Sequence, residues 1–80
     1  MVYVIFETPG GEPPLLCCGP YWSVQVTQGQ LFVTEVRGDR AGRLCLAVQD
    51  ADGWHVPGGP GALTRSWESV RFSDHSEPAG

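Results

Sequence analysis

Turn-forming residues divide this chain into short apolar segments, and no other feature of the sequence limits its fold as strongly. The 80 residues include 11 glycines and 7 prolines. Clusters of these breakers recur about every eight to twelve residues, a spacing typical of small all-β domains. An unaided helix needs about 12–15 uninterrupted residues. We therefore predict an all-β fold of five to six short strands, with at most one helical turn near residues 62–68.

The segment from Tyr21 to Arg37 predicts a β-hairpin. Its first half alternates apolar and polar residues, with Trp22, Val24 and Val26 on one side, as a half-buried strand does. A short turn at Gln28-Gly29 separates it from a second strand over residues 30–37. This alternation predicts that Trp22 is buried in the core.

The second strand of this hairpin is apolar on both faces. Leu31 and Val33 alternate with Phe32 and Val36, so a slip of one residue would exchange the pair that faces the core. The sequence leaves this register open. A strand of this kind is either central in a two-layer structure or buried against a partner.

The remaining segments complete an antiparallel meander. Strands are predicted over Val2–Glu7, 43–49, 54–56 and Ser69–Ser73, and residues 15–18 form either a short strand or a buried loop. We expect the strands to close into a partly open small barrel, SH3-like or OB-like. Residues 1–73 then form a single domain, and residues 74–80 are a flexible tail.

The charge balance excludes some classes of partner. Nine acidic residues oppose five arginines, with no lysine, for a formal net charge of −4. Non-specific nucleic-acid binding requires clustered cations, and a membrane span requires about 20 apolar residues. We expect neither nucleic-acid nor membrane binding, no secretory leader and a cytoplasmic location. The bias towards Gly, Pro, Ala and Arg points to a GC-rich, bacterial source.

The three cysteines predict neither a disulfide framework nor a metal site. Cys17 and Cys18 are adjacent, and Cys45 alternates with Leu44 and Leu46 in strand 43–49. None has the spacing of a structural zinc site. We predict that they are reduced, small, buried side chains, and we expect no metal or cofactor. Cys18 is the more plausible reactive thiol, with His55 as a candidate base.

Five residues are candidates for binding a ligand or a partner. Trp54 and His55 follow a turn and Trp67 lies near a Gly/Pro-rich loop, where aromatic side chains often anchor interfaces. These tryptophans would equally well cover a thin core. Arg37 and Arg40 belong to a basic turn that is a solvated hairpin tip, a clamp for a carboxylate or phosphate, or a contact on a partner protein.

The sequence contains no complete catalytic set. We therefore expect a small binding or protein-interaction module that self-associates and has no catalytic activity of its own. One alternative is a small-molecule-binding barrel whose pocket is lined by Trp54, His55 and Trp67. A second is an enzyme whose site forms only at an oligomer interface.

Overall fold

Seven β-strands form two antiparallel sheets in the computed structural model, which describes residues 1–8, 15–56 and 66–76. The three-stranded sheet has the order β2-β1-β7, and the four-stranded sheet has the order β3-β4-β5-β6. The strands are β1 (Val2–Glu7), β2 (Leu15–Tyr21), β3 (Ser23–Thr27), β4 (Gln30–Arg37), β5 (Arg40–Asp50), β6 (Gly53–His55) and β7 (Ser69–Ser73). The predicted all-β antiparallel fold is confirmed.

Most predicted strands recur with similar limits, and the hairpin around Gln28-Gly29 is confirmed. The structure has one strand more than the five to six expected, because residues 15–21 form the strand β2. Of the segment considered for a helical turn, residues 62–65 lie outside the described residues, and residues 66–68 are not helical. Residues 57–61 and 77–80 also lie outside them.

The core lies between the two sheets. Val4 and Phe6 from β1 meet Leu31 and Val33 from β4, and all four side chains are essentially inaccessible to solvent. Because Leu31 and Val33 face the core, Phe32 and Val36 lie on the opposite face of the sheet. This settles the register that the sequence leaves open. It also places β4 between β3 and β5 in a two-layer structure.

A β-bulge changes which residues of β5 face the core. Leu31 pairs with Ala47, whereas Phe32 pairs with Cys45, so Leu46 is the extra residue. Ala47 is fully buried and Leu46 packs against the core, while Cys45 is exposed. The predicted burial of Cys45 is wrong, because Cys45 pairs with Phe32 on the face of the sheet turned away from the core.

The prediction for Trp22 is also wrong, since 59% of its surface is exposed. Trp22 occupies a bend between β2 and β3, where the chain passes from one sheet to the other. Its N–H donates to the carbonyl of Thr34 at 2.7 Å. Because β3 is an edge strand, no neighbouring strand in the described part of the chain covers this side chain.

The two sheets are joined by a bridge between Trp54 in β6 and Trp67 just before β7. They are otherwise not closed on one another, an arrangement compatible with a partly open small barrel. Within the described ranges, no helix is long and apolar enough to cross a membrane.

Candidate functional site

The structure distributes the five predicted site residues over three separate places. Trp54 and Trp67 belong to the core, with 5% and 4% of their surfaces exposed. His55 lies on the opposite face of β6, because successive strand side chains alternate. Arg37 and Arg40 pair at the hairpin tip, where β4 ends and β5 begins.

The two buried tryptophans serve packing. The rings of Phe6 and Trp67 are tilted by 44°, with their centroids 6.4 Å apart, a separation typical of packed aromatic pairs. Neither tryptophan lines the open cleft next to β6. Both tryptophans are therefore members of the hydrophobic core.

His55 belongs to an acidic end of the four-stranded sheet. Its Nε2 lies 2.8 Å from Asp50 Oδ2, and this contact lowers the pKa of the Asp50 carboxyl. The backbone N–H of Asp52 also donates to Asp50 Oδ1 at 2.7 Å. An open cleft of about 430 Å³ lies here, lined by Gln49, Asp50, Ala51, Asp52, Gly53, Ser66 and Glu68. No group of three or more His, Cys, Asp or Glu among the described residues is arranged to hold a metal ion.

The arginine pair is remote from this cleft. Arg37 and Arg40 flank a two-residue turn at Gly38-Asp39, and Gly38 has a φ of 62°, which favours glycine. Arg40 is exposed. Val48, the partner of His55, lies eight positions beyond Arg40 along β5, which corresponds to about 26 Å. A single small ligand therefore does not contact both ends.

A different arginine is held in a defined geometry. The guanidinium of Arg43 lies over the ring of Phe32, with 4.2 Å between its carbon and the ring centroid. The same guanidinium donates to Gln25 Oε1 at 3.2 Å. A cation over an aromatic face is attracted by the ring quadrupole. Three strands therefore each contribute one side chain to a single cluster.

This cluster lies at the centre of a surface that we call the outer sheet face, the side of the four-stranded sheet turned away from the core. It consists of Gln25, Phe32, Val36, Arg43, Cys45 and Val48, which the strand registers place on one face. Val36 is 42% exposed and Val48 is 37% exposed. The outer sheet face thus combines apolar, aromatic and cationic groups at the surface.

Sequence reasoning missed Arg43, although the hairpin turn carries the necessary signal. With a two-residue turn at Gly38-Asp39, antiparallel pairing places Arg43 opposite Thr34 and diagonal to Phe32. The strand predicted over residues 43–49 begins three residues later than β5 does. This later start hides the pairing of Arg43 with Thr34.

Cys18, the thiol that the sequence singles out, does not have the surroundings of an activated nucleophile. Burial and the neighbouring Cys17 raise the pKa of the Cys18 thiol, which is the opposite of what a reactive thiolate requires. Cys18 packs against the core from the three-stranded sheet, whereas His55 faces outwards from the other sheet. Cys18 and His55, which the sequence suggested as a thiol and its base, are therefore not brought together.

No protein-family model, curated protein or solved structure matches the chain.

Proposed function

We propose that this protein is a small protein-interaction module that self-associates and has no catalytic activity of its own. The observation that carries the proposal is the cluster on the outer sheet face in which the exposed side chains of Arg43 and Gln25 surround the half-buried ring of Phe32. Aromatic residues and arginine are the side chains most enriched in the energetically important parts of protein interfaces.

The cluster is already ordered before a partner binds. Arg43 is restrained by the ring beneath it and by its bond to Gln25, so less side-chain entropy is lost on association. A guanidinium has five N–H donors, and the bond to Gln25 uses one of them. The expected partner is a protein surface that presents apolar side chains to Phe32 and Val36 and a carboxylate to Arg43.

Self-association is supported by apolar side chains elsewhere on the surface. Trp22 and Val26 are 59% and 46% exposed. A small domain gains stability when a symmetric neighbour covers such groups. A cytoplasmic location is part of the proposal, since all three cysteines are free and reduced thiols persist in the cytoplasm.

An SH3-like barrel is the form of the fold that we propose. Two connections between the sheets support it: the bend at Trp22, where the chain changes sheet, and the bridge between Trp54 and Trp67. Strands that change sheets at bends make the corners of compact barrels. The alternative of a small-molecule barrel is less favoured, because the tryptophans assigned to its pocket are buried.

Partner binding is tested with matched phenylalanine variants. Immobilised wild type, Phe32→Ser and Phe72→Ser are compared for the proteins that they capture from a lysate of the source organism. Phe72 is an exposed phenylalanine on the other sheet and is therefore the control. Far-UV circular dichroism and thermal melting verify that each variant is folded.

We expect wild type and Phe72→Ser to capture the same protein, and Phe32→Ser to lose it. Arg43→Lys should weaken capture, because an ammonium group lacks the planar fork of a guanidinium. Equal capture by Phe32→Ser and wild type would contradict the assignment of the outer sheet face.

A further inference from the structure

Strand β3 differs from the other edge strands in the described part of the chain. Edge strands expose unpaired backbone groups, and proteins protect them with proline, charge or a covering segment. The edge of β6 is hydrogen-bonded to Trp67, β2 contains Pro20, and β7 carries Arg71. Strand β3 has neither proline nor charge, and four of its five residues are exposed.

The same edge carries two of the most exposed apolar side chains. Trp22 and Val26 are 59% and 46% exposed, and alternation places both on the same side of the strand as Val24. Unpaired backbone and uncovered apolar side chains therefore coincide along this edge. Such an edge is a ready template for pairing with another strand.

The sequence of β3 reads nearly the same in both directions. Ser, Val, Gln, Val and Thr occupy residues 23–27, so a two-fold axis through Gln25 sets like against like. We propose that β3 pairs antiparallel with β3 of a second copy about this axis. The proposal rests on the self-association proposed above and identifies its contact.

Each side chain finds a matching neighbour in this pairing. Ser23 pairs with Thr27 of the partner subunit, and Val24 pairs with Val26 of the partner subunit. Trp22 then lies diagonally across from Val26 of the partner subunit, within reach of a large aromatic side chain. The pairing is isologous, so every contact occurs twice. Both exposed apolar side chains of the edge are covered together.

Charge favours β3 over β7 as the dimer strand. Strand β7 also alternates symmetrically, as Ser-Val-Arg-Phe-Ser, but its central Arg71 is already paired with Glu7 at 2.8 Å, and a two-fold axis through this residue would set Arg71 opposite its own copy. Like charges directly opposite each other destabilise a strand pair. Strand β3 is uncharged, so the net charge of −4 on each chain is not concentrated at the contact.

Pairing through β3 would join two four-stranded sheets into one continuous sheet. Because Gln25 lies on the outer sheet face beside Phe32, the outer sheet faces of both copies would become neighbours on one surface. The dimer would thus present two Phe32–Arg43 clusters side by side. A partner with two matching epitopes would then bind with avidity.

Two charge variants at the same positions test the pairing. Ser23→Lys/Thr27→Lys places lysine opposite lysine twice, whereas Ser23→Lys/Thr27→Glu places lysine opposite glutamate twice. Both original side chains are exposed, so the monomer fold should tolerate either change. The Lys/Lys variant also reduces the net negative charge, so general repulsion between chains does not explain a loss of dimer.

Sedimentation velocity over a range of concentrations, in reducing buffer, measures the dimer dissociation constant. We expect wild type to dimerise, the Lys/Lys variant to bind itself about tenfold or more weakly, and the Lys/Glu variant to match or exceed wild type. In wild type, amide hydrogen exchange in β3 should slow as the dimer forms. This second measurement does not depend on the folding of any variant.

Three results would overturn the inference. If all three proteins dimerise equally, the contact lies elsewhere and the proposed self-association stands. The contact also lies elsewhere if wild type dimerises and hydrogen exchange of the β3 amides does not slow. If wild type is monomeric throughout, self-association fails together with the β3 contact, and only the capture experiment then bears on the outer sheet face.

Discussion

Trp54 and Trp67 exchange two backbone hydrogen bonds, with N···O distances of 2.7 and 2.8 Å. These hydrogen bonds connect β6, at the edge of the four-stranded sheet, to the residues just before β7 of the three-stranded sheet. The side chains of both residues are buried against the core on either side of this connection. The bridge and the core therefore stabilise each other.

Glycine at position 53 is required by this bridge. Gly53 has a φ of +123°, and a Cβ added to it would lie 2.5 Å from the carbonyl oxygen of Trp67. Gly53→Ala should therefore cost at least about 1–3 kcal/mol of unfolding free energy. Gly42→Ala is the control, because a Cβ there meets nothing within 4 Å, and we expect a change within about 0.5 kcal/mol. Urea denaturation of both variants measures the difference, and equal stabilities would contradict the structure.

Replacing the buried Trp67 should destabilise the domain far more than replacing the exposed Trp22. Trp67→Ala should cost about 3–5 kcal/mol, enough to unfold much of a domain this small, and Trp67→Phe should cost less. Trp22→Ala should change the stability of the dilute monomer by no more than about 0.5 kcal/mol. Denaturant unfolding at low protein concentration measures all three. A large loss in Trp22→Ala would mean that Trp22 is a core residue after all.

The contact between His55 and Asp50 predicts the direction in which the pKa of the Asp50 carboxyl is shifted. The pKa of the Asp50 carboxyl lies below its ordinary value, so its contribution to stability is complete above that ordinary value, about 3.9. This contribution is lost as the pH falls through the lower pKa of the folded state. Carbon-detected NMR should show the Asp50 midpoint below about 3.9, moving upward in His55→Ala. His75→Ala, which removes a different exposed histidine, should leave the midpoint unchanged.

Thiol reactivity should follow exposure. Cys45 is exposed, whereas burial raises the pKa of Cys18, so fewer Cys18 thiolates are present at any given pH. Iodoacetamide at pH 7.5 should therefore label Cys45 before Cys18, and Cys18 should react faster as the pH rises. Mass spectrometry of the digested protein locates the label, and Cys45→Ser should remove the fastest phase. Rapid labelling of Cys18 below neutral pH would instead indicate an activated thiol.

The strands were largely predictable from the sequence because their signals are local. Alternation and turn residues identify β1, the β3–β4 hairpin, the turn before β6 and the closing strand β7. Each of these features depends on residues close together in the chain. The separation into two sheets depends on contacts between distant residues, such as Val4 with Leu31, and periodicity carries no information about them.

The candidate site was predicted less well, for two physical reasons. Alternation shows that Trp22 shares a side with Val24 and Val26, but not that β3 is an edge strand with that side exposed. The bulge at Leu46 reverses the faces of the residues that follow it in β5. Both features depend on neighbours that are distant in the chain; the first determines that Trp22 reaches the surface, and the second determines that Ala47 faces the core.

The bridge between Trp54 and Trp67 also has a consequence for protein engineering. Two backbone hydrogen bonds hold Trp54 and Trp67 together, so these two points of the chain stay adjacent whatever the number of residues between them. Doubling the length of such a segment costs only about 0.6 kcal/mol in closure entropy. A longer chain between Trp54 and Trp67 should therefore leave this bridge, and with it the connection between the two sheets, in place.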